Sequence, residues 1–103
     1  MLDVNIEFSK GVLFVRLSGD ITNDNASNIK NNVVNILTKS GIKYLVFNIS
    51  DAVINNKIDL FEKCNEAILN NNGRMIICGN NDLNYESAKN ELTALRMMSI
   101  WLK

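Results

Sequence analysis

Histidine does not occur in this chain of 103 residues. Its absence removes the side chain most often used as a general base and as a metal ligand. No nucleophile–base pair is left to carry covalent catalysis, so neither an enzyme nor a metal or cofactor site is expected. Proline is absent as well. Cysteine is scarce: Cys64 and Cys78 are the only two, and their spacing fits neither a paired zinc motif nor a CxxC redox pair. They read as small buried apolar residues in a reducing compartment. Net charge is lacking too, since eleven basic residues balance eleven acidic ones. Without a basic stripe, the electrostatic footprint of a nucleic-acid binder is missing. No apolar run approaches the roughly 20 residues that cross a bilayer. The first residues have neither the basic start nor the apolar stretch of a secretory signal. The expected location is the cytoplasm, away from nucleic acid and membrane.

What the chain does have is apolar content, 47% of its residues. That supports one core but not two, so residues 1–103 are read as a single domain. Asparagine makes up about one residue in six, a compositional bias to which no function is attached. Residues 4–8 alternate, with Val4, Ile6 and Phe8 on one face, and Ser9-Lys10-Gly11 is a turn signal. Residues 12–17 are dense in β-branched and aromatic side chains and read as a central strand, paired with the first in a hairpin. Gly19-Asp20-Ile21-Thr22 ends that strand. A helix over 24–39 follows from Ala26, Ile29, Val33, Ile36 and Leu37, with Thr22 or Asn23 as its cap and Gly41 at its end.

The nearly unbroken apolar run 44–49 predicts a strand covered on both faces. After a polar loop at Asn55, Asn56 and Lys57, a second helix over 58–71 carries Ile58, Phe61, Cys64 or Asn65, Ile68 and Leu69. Residues 75–78 predict another buried strand, 83–87 a short edge strand, and 90–102 a last helix capped by Asn90. Strands alternating with helices imply right-handed crossovers and parallel pairing. The expected fold is therefore α/β: a mixed sheet with mostly parallel central strands, an N-terminal hairpin, and helices packed on it.

Three segments resemble the STAS domain of bacterial anti-sigma-factor antagonists. Val15-Arg16-Leu17-Ser18-Gly19-Asp20-Ile21-Thr22, followed by Ala26, is similar to that family's strand ending in Gly-Glu-Leu-Asp. Gly41-Ile42-Lys43-Tyr44-Leu45-Val46-Phe47-Asn48-Ile49-Ser50-Asp51 resembles its next strand, at the matching spacing from Gly19. Gly73-Arg74-Met75-Ile76-Ile77-Cys78 resembles its fourth strand. The likeness covers about two thirds of the chain. It implies a non-catalytic regulatory domain in transcriptional signalling that binds an anti-sigma-factor-like kinase or another regulatory protein. A small-molecule or nucleotide-sensing STAS domain is the alternative.

The chain departs from the family where the family is switched. The family's phosphorylated serine, in an Asp-Ser-Ser-Gly sequence, corresponds here to Lys57 in Asn56-Lys57-Ile58-Asp59. Lys57 is then either a solvated remnant of a lost switch or part of a permanently unphosphorylated docking loop. The loops expected to meet a partner are Asp20, Ile21 and Thr22 together with Asn55, Asn56, Lys57 and Ile58. Ser50 is a weaker phosphosite candidate, and as a residue beside a strand end it reads first as a turn former. Asp20 and Asp51 could act as an acid pair at the strand ends, but they read first as turn and cap residues. The family's helix between its fourth and fifth strands has little room here. Met97, Met98 and Trp101 are expected in the core, with a partner surface or homodimer face as the alternative.

Overall fold

The computed structural model describes residues 2–54, 58–79 and 83–98. Its elements run β1 (Leu2–Ser9), β2 (Val12–Ile21), α1 (Asn23–Ser40), β3 (Tyr44–Ile54), α2 (Leu60–Asn70), β4 (Arg74–Cys78), β5 (Ser87–Ala88) and α3 (Glu91–Met98). The strands form one sheet in the order β1-β2-β3-β4-β5. The first pair is antiparallel and all others are parallel, so the mixed α/β sheet with an N-terminal hairpin is as expected. Lys10 and Gly11 make the hairpin's two-residue turn, both with positive φ, 55° and 83°. That geometry matches the right-handed twist of the strands it joins.

The apolar runs are buried because both faces of the central strands are covered. Leu13, Val15, Leu17, Leu45, Phe47, Ile49, Met75 and Ile77 lie against α1 and α2. Phe47 meets Phe61 of α2 edge to face at 5.0 Å, an arrangement that sets a positive ring edge on a negative ring face. On the opposite face Val12, Phe14, Val46, Ile76 and Cys78 lie against Ala94 and Met98 of α3. Both cysteines are buried and unbridged. Burial pushes the Cys64 thiol up to about 12 and that of Cys78 up to about 11, so neither carries a thiolate near neutral pH.

The helix starts and stops were largely legible. Thr22 caps α1 through a capping box with Asn25, and Gly41 closes the helix in the left-handed conformation. Asn90 caps α3, its Oδ1 accepting from the Thr93 N–H at 2.9 Å. The expectation of a last helix over 90–102 is met as far as Met98, and 99–103, including Trp101, lie outside the described residues. Within α3, Met98 is buried but Leu92 and Met97 are exposed.

Other expectations are corrected. β2 and β3 run well past Leu17 and Ile49, because they continue as a parallel pair as far as Ile21 opposite Ile54. α2 begins at Leu60, with Asp59 as its cap, rather than at Ile58. Leu60, Phe61, Cys64 and Ile68 form its buried stripe, and Leu69 faces solvent. The edge strand expected over 83–87 is only Ser87–Ala88. Leu83 and Tyr85 instead pack against the helix-side core, as side chains of the connection between two parallel strands. No helix lies between β4 and β5 among the described residues.

α3 is held to the sheet by charge as well as by apolar contact. The Arg16 guanidinium donates to both Glu91 oxygens, at 2.8 and 2.9 Å, and to Glu7 at 2.7 Å. Asn48 Nδ2 adds a third bond to Glu91, at 2.8 Å. Donation from Arg16 holds the Glu91 carboxyl below its ordinary range against the opposing effect of burial. A carboxylate with a lowered folded pKa stabilises the fold above its unfolded pKa and loses that contribution as pH falls through the folded value. Stability should therefore decline from about pH 5 downward. Glu91→Gln should be less stable at pH 7 and show a shallower acid decline. Glu86, lowered in the same way by Arg74, keeps some of the slope. Urea titrations between about pH 3 and pH 7 test this.

Gly73 marks a tight backbone contact. A Cβ there would sit 2.1 Å from the Lys43 carbonyl oxygen, where the Arg74 N–H donates to that same carbonyl at 2.7 Å. Gly73→Ala should cost about 1–3 kcal/mol as an overpacked site, read as a lower urea midpoint at unchanged slope.

Candidate functional site

Parallel pairing of β2 and β3 puts their C-terminal ends side by side, and each strand feeds a helix that returns over the same face. The starts of α1 and α2 therefore meet at one end of the sheet. Thr22 N–H donates to Asn25 Oδ1 at 2.8 Å, and Asn25 Nδ2 donates to the Asp20 carbonyl at 2.9 Å. These bonds fix the turn between β2 and α1. Across from it, Lys30 Nζ lies 3.3 Å from both Asp59 oxygens, joining the second turn of α1 to the cap of α2. An acid at that cap also suits the positive end of the helix dipole. Between the two helix starts lies an open groove of about 510 Å³, lined by Asn23, Ala26, Ser27, Lys30, Ile58, Asp59 and Glu62.

Of the residues expected to meet a partner, Asp20 and Thr22 lie at this end with Ile58, which lines the groove. Ile21 does too, but it is wholly buried. It supports the turn from beneath and is not available for contact. Asn55, Asn56 and Lys57 lie outside the described residues. Lys30, Ser27, Asp59 and Glu62 were not expected. Asn23, Ser27 and Lys30 are spaced four and three residues apart on one helix face, and Asp59 and Glu62 three apart on the other. That spacing, counted from each cap, was the available signal.

Ser50 is not at a strand end. It sits within β3, where the register against β2 shifts between Arg16–Asn48 and Ser18–Asp51. One extra residue on β3 makes a β-bulge. Ile49 stays in the helix-side core while Ser50 and Asp51 both reach solvent. The Ser50 N–H donates to Asn48 Oδ1 at 3.1 Å. Asp51 pairs in register with Ser18 and Asp20 with Val53, so the two acids are not opposite one another. No group of three potential metal-ligating side chains occurs among the described residues, and no helix among them is long and apolar enough to cross a membrane.

Comparison with known proteins fits this geometry. The family model of the STAS domain matches residues 3–83. The anti-sigma factor antagonist SpoIIAA in its unphosphorylated form superposes with a TM-score of 0.75 at 10% identity, over 94% of this chain and 97% of that one. The Bacillus cell-fate determinant SpoIIAA in its phosphorylated form gives 0.73 at 12% identity, over 92% and 99%. A Thermotoga maritima protein assigned as a candidate anti-sigma factor antagonist gives 0.73 at 12% identity, over 95% and 94%.

The Lys30–Asp59 pair is half in solvent, so its coupling should be small, about 0.2–1 kcal/mol. A double-mutant cycle with Lys30→Ala and Asp59→Ala, read by urea unfolding, measures it. A value indistinguishable from zero would leave apolar contact alone to set the spacing of the two helix starts.

Proposed function

Because the chain belongs to the STAS domain family, we propose that it is a regulatory interaction domain of the anti-sigma-factor-antagonist kind, acting by docking and without a catalytic step. Its partner is a kinase-like anti-sigma factor or a related regulatory protein. The contact surface is the end of the sheet where Asp20, Thr22 and Ile58 adjoin the groove between α1 and α2, together with Asn55, Asn56 and Lys57. One observation carries this reading: the starts of two helices, joined by Lys30 and Asp59, frame an open groove. Ordered helix starts lose little entropy on docking, and the polar residues of the lining suit a reversible regulatory contact.

The family's switch adds a phosphate's negative charge of about 2 at a serine and so disrupts docking by repulsion and desolvation. This chain has Lys57 there. Lysine keeps one positive charge and accepts no such phosphate, so docking here is constitutive and is set by the abundance of the partners. That fixed charge favours an acidic patch on the partner.

The test is binding of the purified chain to an immobilised kinase-type anti-sigma factor from the same cell, with and without ATP. Binding should survive ATP, with no mass increase of the chain. Lys57→Glu and Ser27→Arg should each weaken it at least about tenfold, as central interface changes do, while circular dichroism stays unchanged. Binding indifferent to both substitutions would remove this end of the sheet from the proposal. A phosphate-sized mass shift that abolishes binding would restore a switch.

A further inference from the structure

The sheet has two edges of very different kinds. β5 is two residues long, whereas β1 is an eight-residue strand that pairs with β2 without a bulge. Exposed edges are usually blunted by charged side chains, proline, bulges or extreme shortness; β1 has no proline, lysine or bulge, and its two charges, Asp3 and Glu7, lie on the face opposite its apolar row. It also presents Val4, Ile6 and Phe8 to solvent at 45%, 38% and 59% exposure. These three lie opposite Leu17, Val15 and Leu13, so they extend the helix-side apolar face of the sheet beyond the cover of α1.

The backbone gives this edge a preferred register. The two-residue turn closes on the hydrogen-bonded pair Ser9–Val12, and such pairs alternate along an antiparallel ladder. Asp3, Asn5, Glu7 and Ser9 therefore bond to β2, and the N–H and C=O groups of Val4, Ile6 and Phe8 point outward. We propose that β1 pairs antiparallel with β1 of a second copy of this chain, about a two-fold axis at Ile6, joining the two sheets into one.

In that register Val4 faces Phe8 of the other copy, Ile6 faces Ile6, and about six backbone hydrogen bonds form from groups that now face water. On the other side of the sheet Asn5 faces Glu7, and Asp3 faces Ser9. Neighbouring registers fail on charge. Centring on Asn5 sets Asp3 against Glu7, and centring on Glu7 sets Glu7 against itself, and like charges directly opposite are destabilising. The acid that remains near the axis, Glu7, is paired with Arg16 at 2.7 Å, a cation it shares with Glu91. The apolar row, the outward backbone groups and the charge pattern all select the same pairing. β1 is the edge farthest from β4, against which α2 packs, so the pairing leaves the groove between the helix starts open. It is separate from the docking proposed above.

A single strand-to-strand contact is small, so association should be weak, in the micromolar range or above. Sedimentation velocity of the full chain from about 10 to about 500 µM should show a rising dimer fraction. Ile6→Lys, which sets two ammonium groups against each other on the axis, should leave a monomer throughout, with an unchanged far-ultraviolet spectrum. The double substitution Val4→Lys with Phe8→Glu should retain the dimer, because this register places each new cation opposite a new anion. Its dimer should weaken with added salt, which the wild-type dimer should not. A wild-type chain monomeric at the highest concentration overturns the proposal, even if the edge then captures a strand of another protein. So does a dimer indifferent to Ile6→Lys. A monomeric double variant would overturn the register.

Discussion

The parallel pairing of β2 with β3 is the constraint from which the molecule follows. Both strands are long, both are covered on each face over their first halves, and they stay paired, with one bulge on β3, from Val12 opposite Tyr44 to Ile21 opposite Ile54. A parallel pair cannot be closed by a tight turn; its connection must cross over one face. That crossover is α1, and the next, from β3 to parallel β4, is α2. Two successive crossovers on one face bring the helix starts together at the C-terminal end of the strands, where open α/β sheets form their binding crevices. The candidate groove is thus a consequence of topology, and its chemistry lies in which residues cap the helices.

The bulge at Ile49 and Ser50 refines this arrangement. Without it, β3 would continue its alternation and turn Asp51 into the helix-side core. One extra residue restores the match, so that Ala52 and Ile54 pack inward and Asp51 and Val53 face outward. The bulge is braced by the residue that follows β4: a Cβ on Gly79 would lie 2.5 Å from the Ser50 Cα. A bulky modification at Ser50 would have to be accommodated against that backbone. The groove between the helix starts has no comparable crowding, being lined by side chains that reach solvent.

The fold was legible in the sequence because its signals are local. Thr22, one of two cap candidates with Asn23, announces the start of α1, Gly41 its end, and the run from Tyr44 to Ile49 a strand with two covered faces. The bulge was not legible, because one inserted residue leaves no periodic trace and Ser50-Asp51 reads equally well as a turn. β5 was misjudged because Leu83 and Tyr85 alternate as a strand would, while their partial burial comes from packing against the helix-side core. The site was half legible. Resemblance pointed to Asp20, Thr22 and Ile58, which the fold brings to the same end of the sheet, whereas Lys30 and Asp59 meet across 29 positions of chain, a distance no local pattern spans. Ile21 misled because position in a loop motif says nothing of burial.

The two surfaces discussed here differ in the physics that makes them available. At the helix starts, polar groups satisfy one another through the capping box and the Lys30–Asp59 pair, so the surface is stable unbound and meets a partner by displacing water from charged tips. Along β1, the outward backbone groups and the Val4, Ile6, Phe8 row have no such internal satisfaction. They depend on solvent for hydrogen bonds and gain nothing from it for their apolar area. A surface of the first kind discriminates among partners by charge and shape. One of the second kind is satisfied by any strand of suitable register, and the acids Asp3 and Glu7 on its reverse side restrict that choice. Specificity at the edge therefore resides in residues on the face opposite the apolar contact, and Arg16, which holds Glu7 and Glu91 together, couples that restriction to the seating of α3.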